Sequence, residues 1–253
     1  MQIVMSPAKR MNFNAQEENI KTTPPVFSRK TGEVLEVCRK LSETDIAEKM
    51  KVNREIAQQV YGYFQSFNSR TIPLRAAALA YDGIAYKGLN AHDFNKEEVL
   101  FAQKHLNILS GLYGALKPFD RIKPYRLEFA RKIQPKGYKD LYEFWQNEVN
   151  QYLSGKLAKD EKVIINVASK EYSSVLSKKL LPEKTRIVEI SFLQQEGNDL
   201  KQIVVHSKKA RGLMARFIIK NRLSVAEDVK AFGYEDYFYY PQLSSENKWV
   251  FVR

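Results

Sequence analysis

The chain opens on a short apolar run, Gln2 to Met5, that stops at Ser6-Pro7. The run predicts a buried first strand delivering the loop Ser6-Pro7-Ala8-Lys9-Arg10 to one edge of a sheet. Residues from Asn14 to Pro25 are polar and include Pro24-Pro25, the pattern of a surface loop. Apolar positions then recur at helical spacing from Thr31 to Leu41, after Ser42 at Ile46, Ala47 and Met50, and from Asn53 to Phe67 at Ile56, Val60, Tyr63, Phe64 and Phe67. Ser42 suits the N-cap of the middle segment. Ala76 to Tyr81, Asp82-Gly83 and Ile84 to Tyr86 read as strand, turn and short strand.

Asn95, with Glu97 and Glu98 behind it, predicts a capped helix running toward Leu106 that Gly111 and Gly114 then break. Lys139 to Leu157 carries an apolar stripe at Leu141, Phe144, Trp145, Val149 and Leu153, whereas Lys162 to Val167 is a near-continuous strand run. Arg186 to Gln194 and Leu200 to His206 predict a hairpin, followed by a helix from Ser207 to Leu223. Tyr237 to Tyr240 and Trp249 to Val252 predict a second hairpin. The alternation points to a mixed α/β fold.

With 253 residues, 44% of them hydrophobic, the chain suits one compact domain spanning 1–253. No stretch approaches the roughly 20 apolar residues of a membrane span, and the start lacks the pattern of a signal peptide, so a cytoplasmic protein without a membrane partner is expected. The single cysteine, Cys38, excludes an intramolecular disulfide and a Cys-based zinc cluster. His92, His105 and His206 are dispersed, and there is no Walker A, Rossmann or Gly-x-Ser-x-Gly pattern, so neither metal nor cofactor is expected. Charge adds a positive expectation. Lys and Arg number 41 against 29 Asp and Glu, a formal net charge of +12 that favours a polyanionic partner.

Four groups of residues can carry chemistry. In Leu109 to Pro118 a turn with Gly111 and Gly114, followed by Lys117, suits a helix-hairpin-helix-like element over about 96–132, whose free amides would take a phosphate. The plainer alternative is a glycine C-cap between packed helices. Downstream, Arg121, Lys123, Arg126, Arg131 and Lys132 interleave with Tyr125, Phe129 and Tyr138, as in grooves that track nucleic acid, or as an ordinary solvated loop. From Ser207 onward, Lys208, Lys209, Arg211, Arg216 and Lys220 make a cationic ridge on a helix. Lys9, Asp82, Tyr86, Arg126, Glu128 and Glu171 form the fourth set. A lysine beside Asp82, Glu128 and Glu171 can support imine or acid–base catalysis if the groups meet, and structural ion pairs if they do not.

Ser6-Pro7-Ala8-Lys9, Tyr81-Asp82-Gly83, Tyr86-Lys87-Gly88-Leu89 and Leu109 to Gly114 resemble blocks of the bacterial YaaA peroxide-stress family. Pro124 to Glu128, Leu141 to Trp145, Asn166 to Tyr172 and Lys208 to Arg216 continue the resemblance in the same order. It implies an α/β protein of unusual topology with a helix-hairpin-helix-like element and a positively charged cleft. It also implies binding of duplex, four-way-junction or damaged DNA, and a part in limiting oxidative damage and free iron. DNA contacts would come from Lys9, Gly111, Gly114, Lys117, Arg121, Lys123, Arg126, Lys208, Lys209, Arg211 and Arg216. The alternative is an enzyme processing a nucleobase or nucleotide in the same cleft, a small-molecule ligand that Lys9 and its carboxylate neighbours would handle.

Overall fold

Strand β1 (Gln2–Met5) lies in the interior of a mostly parallel sheet, and all four of its residues are buried, as an unbroken apolar run covered on both faces should be. The structure, a computed structural model, describes residues 1–14, 20–158 and 161–253. The predicted loop from Asn14 to Pro25 therefore falls partly outside the described residues. Helices α1 (Ser28–Arg39), α2 (Glu43–Met50) and α3 (Arg54–Ser66) follow as expected. Ser42 and Asp45 form a reciprocal capping box on α2, and the Asn53 side chain accepts from the Ile56 amide to start α3.

The segment read as strand, turn and strand is instead mostly helical. A two-residue strand β2 (Arg75–Ala76) leads into one turn, α4 (Ala77–Ala80), and then into α5 (Ile84–Leu89). Helix α6 (Lys96–His105) has the predicted cap, with Asn95 and Glu98 satisfying each other's backbone amides. Its last residue then passes directly into strand β3 (Leu106–Ser110), which turns through 111–113 into the antiparallel β4 (Gly114–Leu116), and β5 (Arg121–Ile122) pairs with β2.

This corrects the helix-hairpin-helix expectation over 96–132: no second helix begins at Gly114. The two glycines serve packing instead. Trp145 donates its indole N–H to the Gly111 carbonyl at 2.9 Å. Gly114 has φ +70°, and an added Cβ there would lie 2.5 Å from Trp145. Both glycines are buried, so neither presents its amide to a phosphate at the surface. Described helices joined by three-residue turns occur instead at 40–42, 51–53 and 81–83.

Helix α7 (Leu141–Leu157), capped by Asp140, buries the predicted stripe and leads to β6 (Val163–Asn166). After α8 (Lys170–Ser173), strand β7 (Arg186–Glu196) pairs with β8 (Asp199–Lys201), and α9 (Val204–Lys220) starts three residues earlier than the spacing suggested. β9 (Phe238–Tyr239) and β10 (Lys248–Val252) complete the expected second hairpin. The strand order is β4-β3-β1-β6-β7-β10-β9, with β8 on β7.

β3, β1, β6, β7 and β10 run parallel. The chain builds outward from β1 in both directions, toward β3 on one side and β6 on the other. The gap between β1 and β6 is thus a topological switch point, where open α/β sheets leave a crevice beyond the strands' carboxyl ends.

Candidate functional site

The loop leaving β1 does not reach a sheet edge; it emerges in the sheet's interior, at that switch point. There it lines a cavity of about 450 Å³ with Val167 and Ser169 after β6, Asp82, Gly83, Ala85 and Tyr86 at the start of α5, Glu171 and Tyr172 on α8, and Lys208 and Arg211 on α9. Two loops are zipped together at the mouth: the Asp82 amide donates to the Arg10 carbonyl at 2.9 Å, and Met11 bridges to Tyr81. Opposite them, Ser6 Oγ accepts from the Ser169 amide at 2.9 Å, tying the β1 loop to the β6 loop. The Tyr86 hydroxyl donates to the Ser6 carbonyl at 3.0 Å. Burial pushes the Tyr86 hydroxyl well above the usual tyrosine range, so it stays protonated as a donor.

Four cations, Lys9, Arg10, Lys208 and Arg211, face two carboxylates, Asp82 and Glu171, around this cavity. Asp82 is 3.4 Å from Arg10, and Glu171 accepts from the Ala130 amide at 3.3 Å. Arg211 is the most informative of the four. Burial pulls its pKa below the usual arginine value against the pull of Glu189, and its Nε is buried without a hydrogen-bond partner. A buried donor with no acceptor is costly, and an anion in the cavity would remove that cost.

Glu128 sits behind the mouth, 2% exposed, with its Oε1 3.4 Å from Lys9, 3.8 Å from Arg126 and 2.9 Å from Arg131. Burial alone would raise its pKa. The Arg131 hydrogen bond and charge, with the charges of Arg126 and Lys9, outweigh burial and hold the carboxyl below the usual glutamate range. Three cations on one carboxylate oxygen leave this cluster with an excess of positive charge beside the cavity.

Lys9, Asp82, Glu171, Lys208 and Arg211 are thus brought to one cavity, with Glu128 and Arg126 adjoining. Other sequence candidates are engaged elsewhere. Lys123 donates to the carbonyls of Phe67 and Ser69 at 2.6 and 3.0 Å, which closes the loop after α3. Lys117 lies 3.7 Å from buried Asp120, and Arg121 is an exposed residue of β5. Lys209 pairs with Glu235. Arg216 forks onto Asp93 at 2.7 and 2.6 Å and also donates to the carbonyls of Leu89 and Asn90. Because α9 starts at Val204, Lys208 and Arg211 lie beyond its first turn, clear of the positive end of the helix dipole.

Sequence reasoning singled out neither Arg10 as a site residue nor the Ser6–Ser169 link. Proximity to Lys9 was a signal for the first; nothing local signals the second. His105 and His206 are held by the Met1 carbonyl and the Gln194 side chain, both at 2.8 Å. Among the described residues no helix is long and apolar enough to cross a membrane.

Comparison with known proteins adds a family. Residues 1–243 match a family model described as peroxide stress protein YaaA. A UPF0246 protein of Clostridium perfringens is 38% identical over 99% of this chain and 98% of its own length. UPF0246 proteins of Maricaulis maris and Legionella pneumophila are 38% and 37% identical over 100% of this chain, covering 96% and 99% of their own lengths.

Proposed function

Because the chain belongs to the peroxide stress protein YaaA family, we propose that it serves the peroxide response by binding DNA, with the cavity between β1 and β6 as the centre of the interface. The observation that carries this reading is Arg211, a half-buried arginine whose Nε is buried and unsatisfied at a cavity lined by three more cations. A phosphodiester supplies the missing acceptor and the negative charge together. Formal net charge of +12 supplies the long-range attraction that brings a polyanion to the surface. Backbone recognition of this kind does not depend on base sequence, so duplex and four-way junction DNA are both suitable ligands.

Fluorescence anisotropy with labelled duplex and junction DNA at low salt tests the reading, with Arg216→Ala as a discriminating variant. Wild type is expected to bind both DNAs. Arg216→Ala is expected to bind them equally well, since its guanidinium is already engaged by Asp93 and by the Leu89 and Asn90 carbonyls away from the cavity. No binding at low salt, or a large loss of affinity in Arg216→Ala, would contradict the assignment of the interface to the cavity.

A further inference from the structure

We propose that Lys9 is an amine nucleophile that forms an imine with an aldehyde carried on nucleic acid, the C1′ aldehyde of a base-less deoxyribose. The inference rests on the reading that the cleft takes DNA, and it names the kind of site in DNA that the cavity would engage covalently. Lys9 stands at the cavity with its side chain 58% exposed, so its amine is accessible to a ligand. Its Nζ is also 3.4 Å from a carboxylate oxygen that is almost fully buried. Arg131 and Arg126, which keep their charge at all relevant pH, hold Glu128 ionised, and a carboxylate held ionised beside Lys9 stabilises the positive charge of a protonated imine formed there.

The rest of the lining suits a sugar phosphate. At about 450 Å³ the cavity is the size of a small-ligand site, so a duplex must remain outside it while a single backbone unit enters. Arg211 and Lys208 provide for the phosphate. Asp82 and Glu171 would repel a ligand that was phosphate alone, but they accept hydrogen bonds from sugar hydroxyls.

The exposed Lys9 ammonium gives one proton to solvent water, and the freed amine attacks C1′, forming the C–N bond as the carbonyl electron pair moves to oxygen. That oxygen gathers protons and leaves as water. Ammonium and aldehyde thus give a protonated imine and water, with no oxidant or reductant consumed.

Borohydride reduction tests the step, because hydride adds to the imine carbon and leaves a stable secondary amine. Two probes are used, duplex DNA with one base-less site and free 2-deoxyribose 5-phosphate, and the adduct is located by peptide mass mapping. Wild type is expected to carry the adduct on the peptide containing Lys9 with both probes. Lys9→Arg is expected to lose the adduct with both probes while keeping the wild-type circular-dichroism spectrum, whereas Lys209→Arg, a lysine engaged by Glu235, is expected to keep the adduct. An adduct that persists in Lys9→Arg overturns the proposal. Wild type that binds intact duplex but is trapped by neither probe also overturns it and leaves the DNA-binding reading standing. Trapping of the sugar phosphate at Lys9 without any affinity for DNA supports the imine chemistry and removes the DNA reading instead.

Discussion

Gly212→Ala is expected to destabilise the protein by about 3 kcal/mol and to lower its thermal midpoint by about 6–12 °C. Helices α5 and α9 touch backbone to backbone at this point. A Cβ on Gly212 would lie 1.8 Å from the Ala85 carbonyl oxygen and 2.9 Å from the Leu89 amide nitrogen, and a Cβ on Gly88 would lie 2.5 Å from the Lys209 carbonyl oxygen. Backbone atoms cannot swing aside as a flexible side chain does, so the helices must separate. Separation matters beyond stability, because α9 carries Lys208 and Arg211, and the α5 segment carries Asp82 at its start. Gly62→Ala is the control. Gly62 lies within α3, and a Cβ there meets nothing within 4 Å. The same change at that position is expected to stabilise the protein by about 0.4–1 kcal/mol, through the lower entropy of the unfolded chain. Circular-dichroism melts of the two variants should move in opposite directions; a Gly212→Ala protein that melts with wild type would mean the helices do not meet as described.

Glu128→Gln is expected to cost about 3 kcal/mol at neutral pH, the lower end of the range for breaking a buried ion pair, because Lys9 is half in solvent while the carboxylate is not. Without the carboxylate charge, Arg126 and Arg131 face each other and Lys9 uncompensated. The pH dependence gives the cause away. The folded pKa of Glu128 lies below its unfolded value of about 4.3, so its contribution is fully present above that value and is lost as pH falls through the folded pKa. Urea unfolding of wild type and Glu128→Gln should therefore show a constant gap from about pH 7 to pH 5 that closes below about pH 4. A gap that stays constant into strong acid would assign the loss to packing and not to charge.

Much of the fold was legible because its signals are local. Asn95 and Glu98 announce α6 through their reciprocal cap, and the stripe from Leu141 to Leu153 announces α7. The same kind of signal failed at Leu106 to Ser110, where every residue is buried, so no alternation distinguishes strand from helix, and where α6 runs into β3 without a loop. Ala76 to Leu89 failed for a different reason. Helix α5 within it is fixed by contact with α9, and the glycines that permit this contact, Gly88 and Gly212, are over a hundred residues apart.

For the site, loop position brought Lys9, Asp82 and Glu171 into consideration, helical spacing brought Lys208 and Arg211, and the fold gathers them at one cavity. Charge alone could not separate them from Lys123, Lys209 and Arg216. Those are withdrawn by Phe67 and Ser69 carbonyls, by Glu235 and by Asp93, partners that only the tertiary fold reveals.

The most direct measurement is the salt dependence of duplex affinity for wild type, for Lys208→Ala/Arg211→Ala, and for Lys209→Ala as a cation of the same helix held by Glu235. Each phosphate contact contributes about 0.9 to the slope of log K against log salt, so the double variant should be shallower than wild type by about 1.8 and weaker at every salt concentration. Lys209→Ala should follow wild type. Equal slopes for wild type and the double variant, or an affinity indifferent to salt, would contradict the assignment of the cavity between β1 and β6 as a phosphate-binding centre.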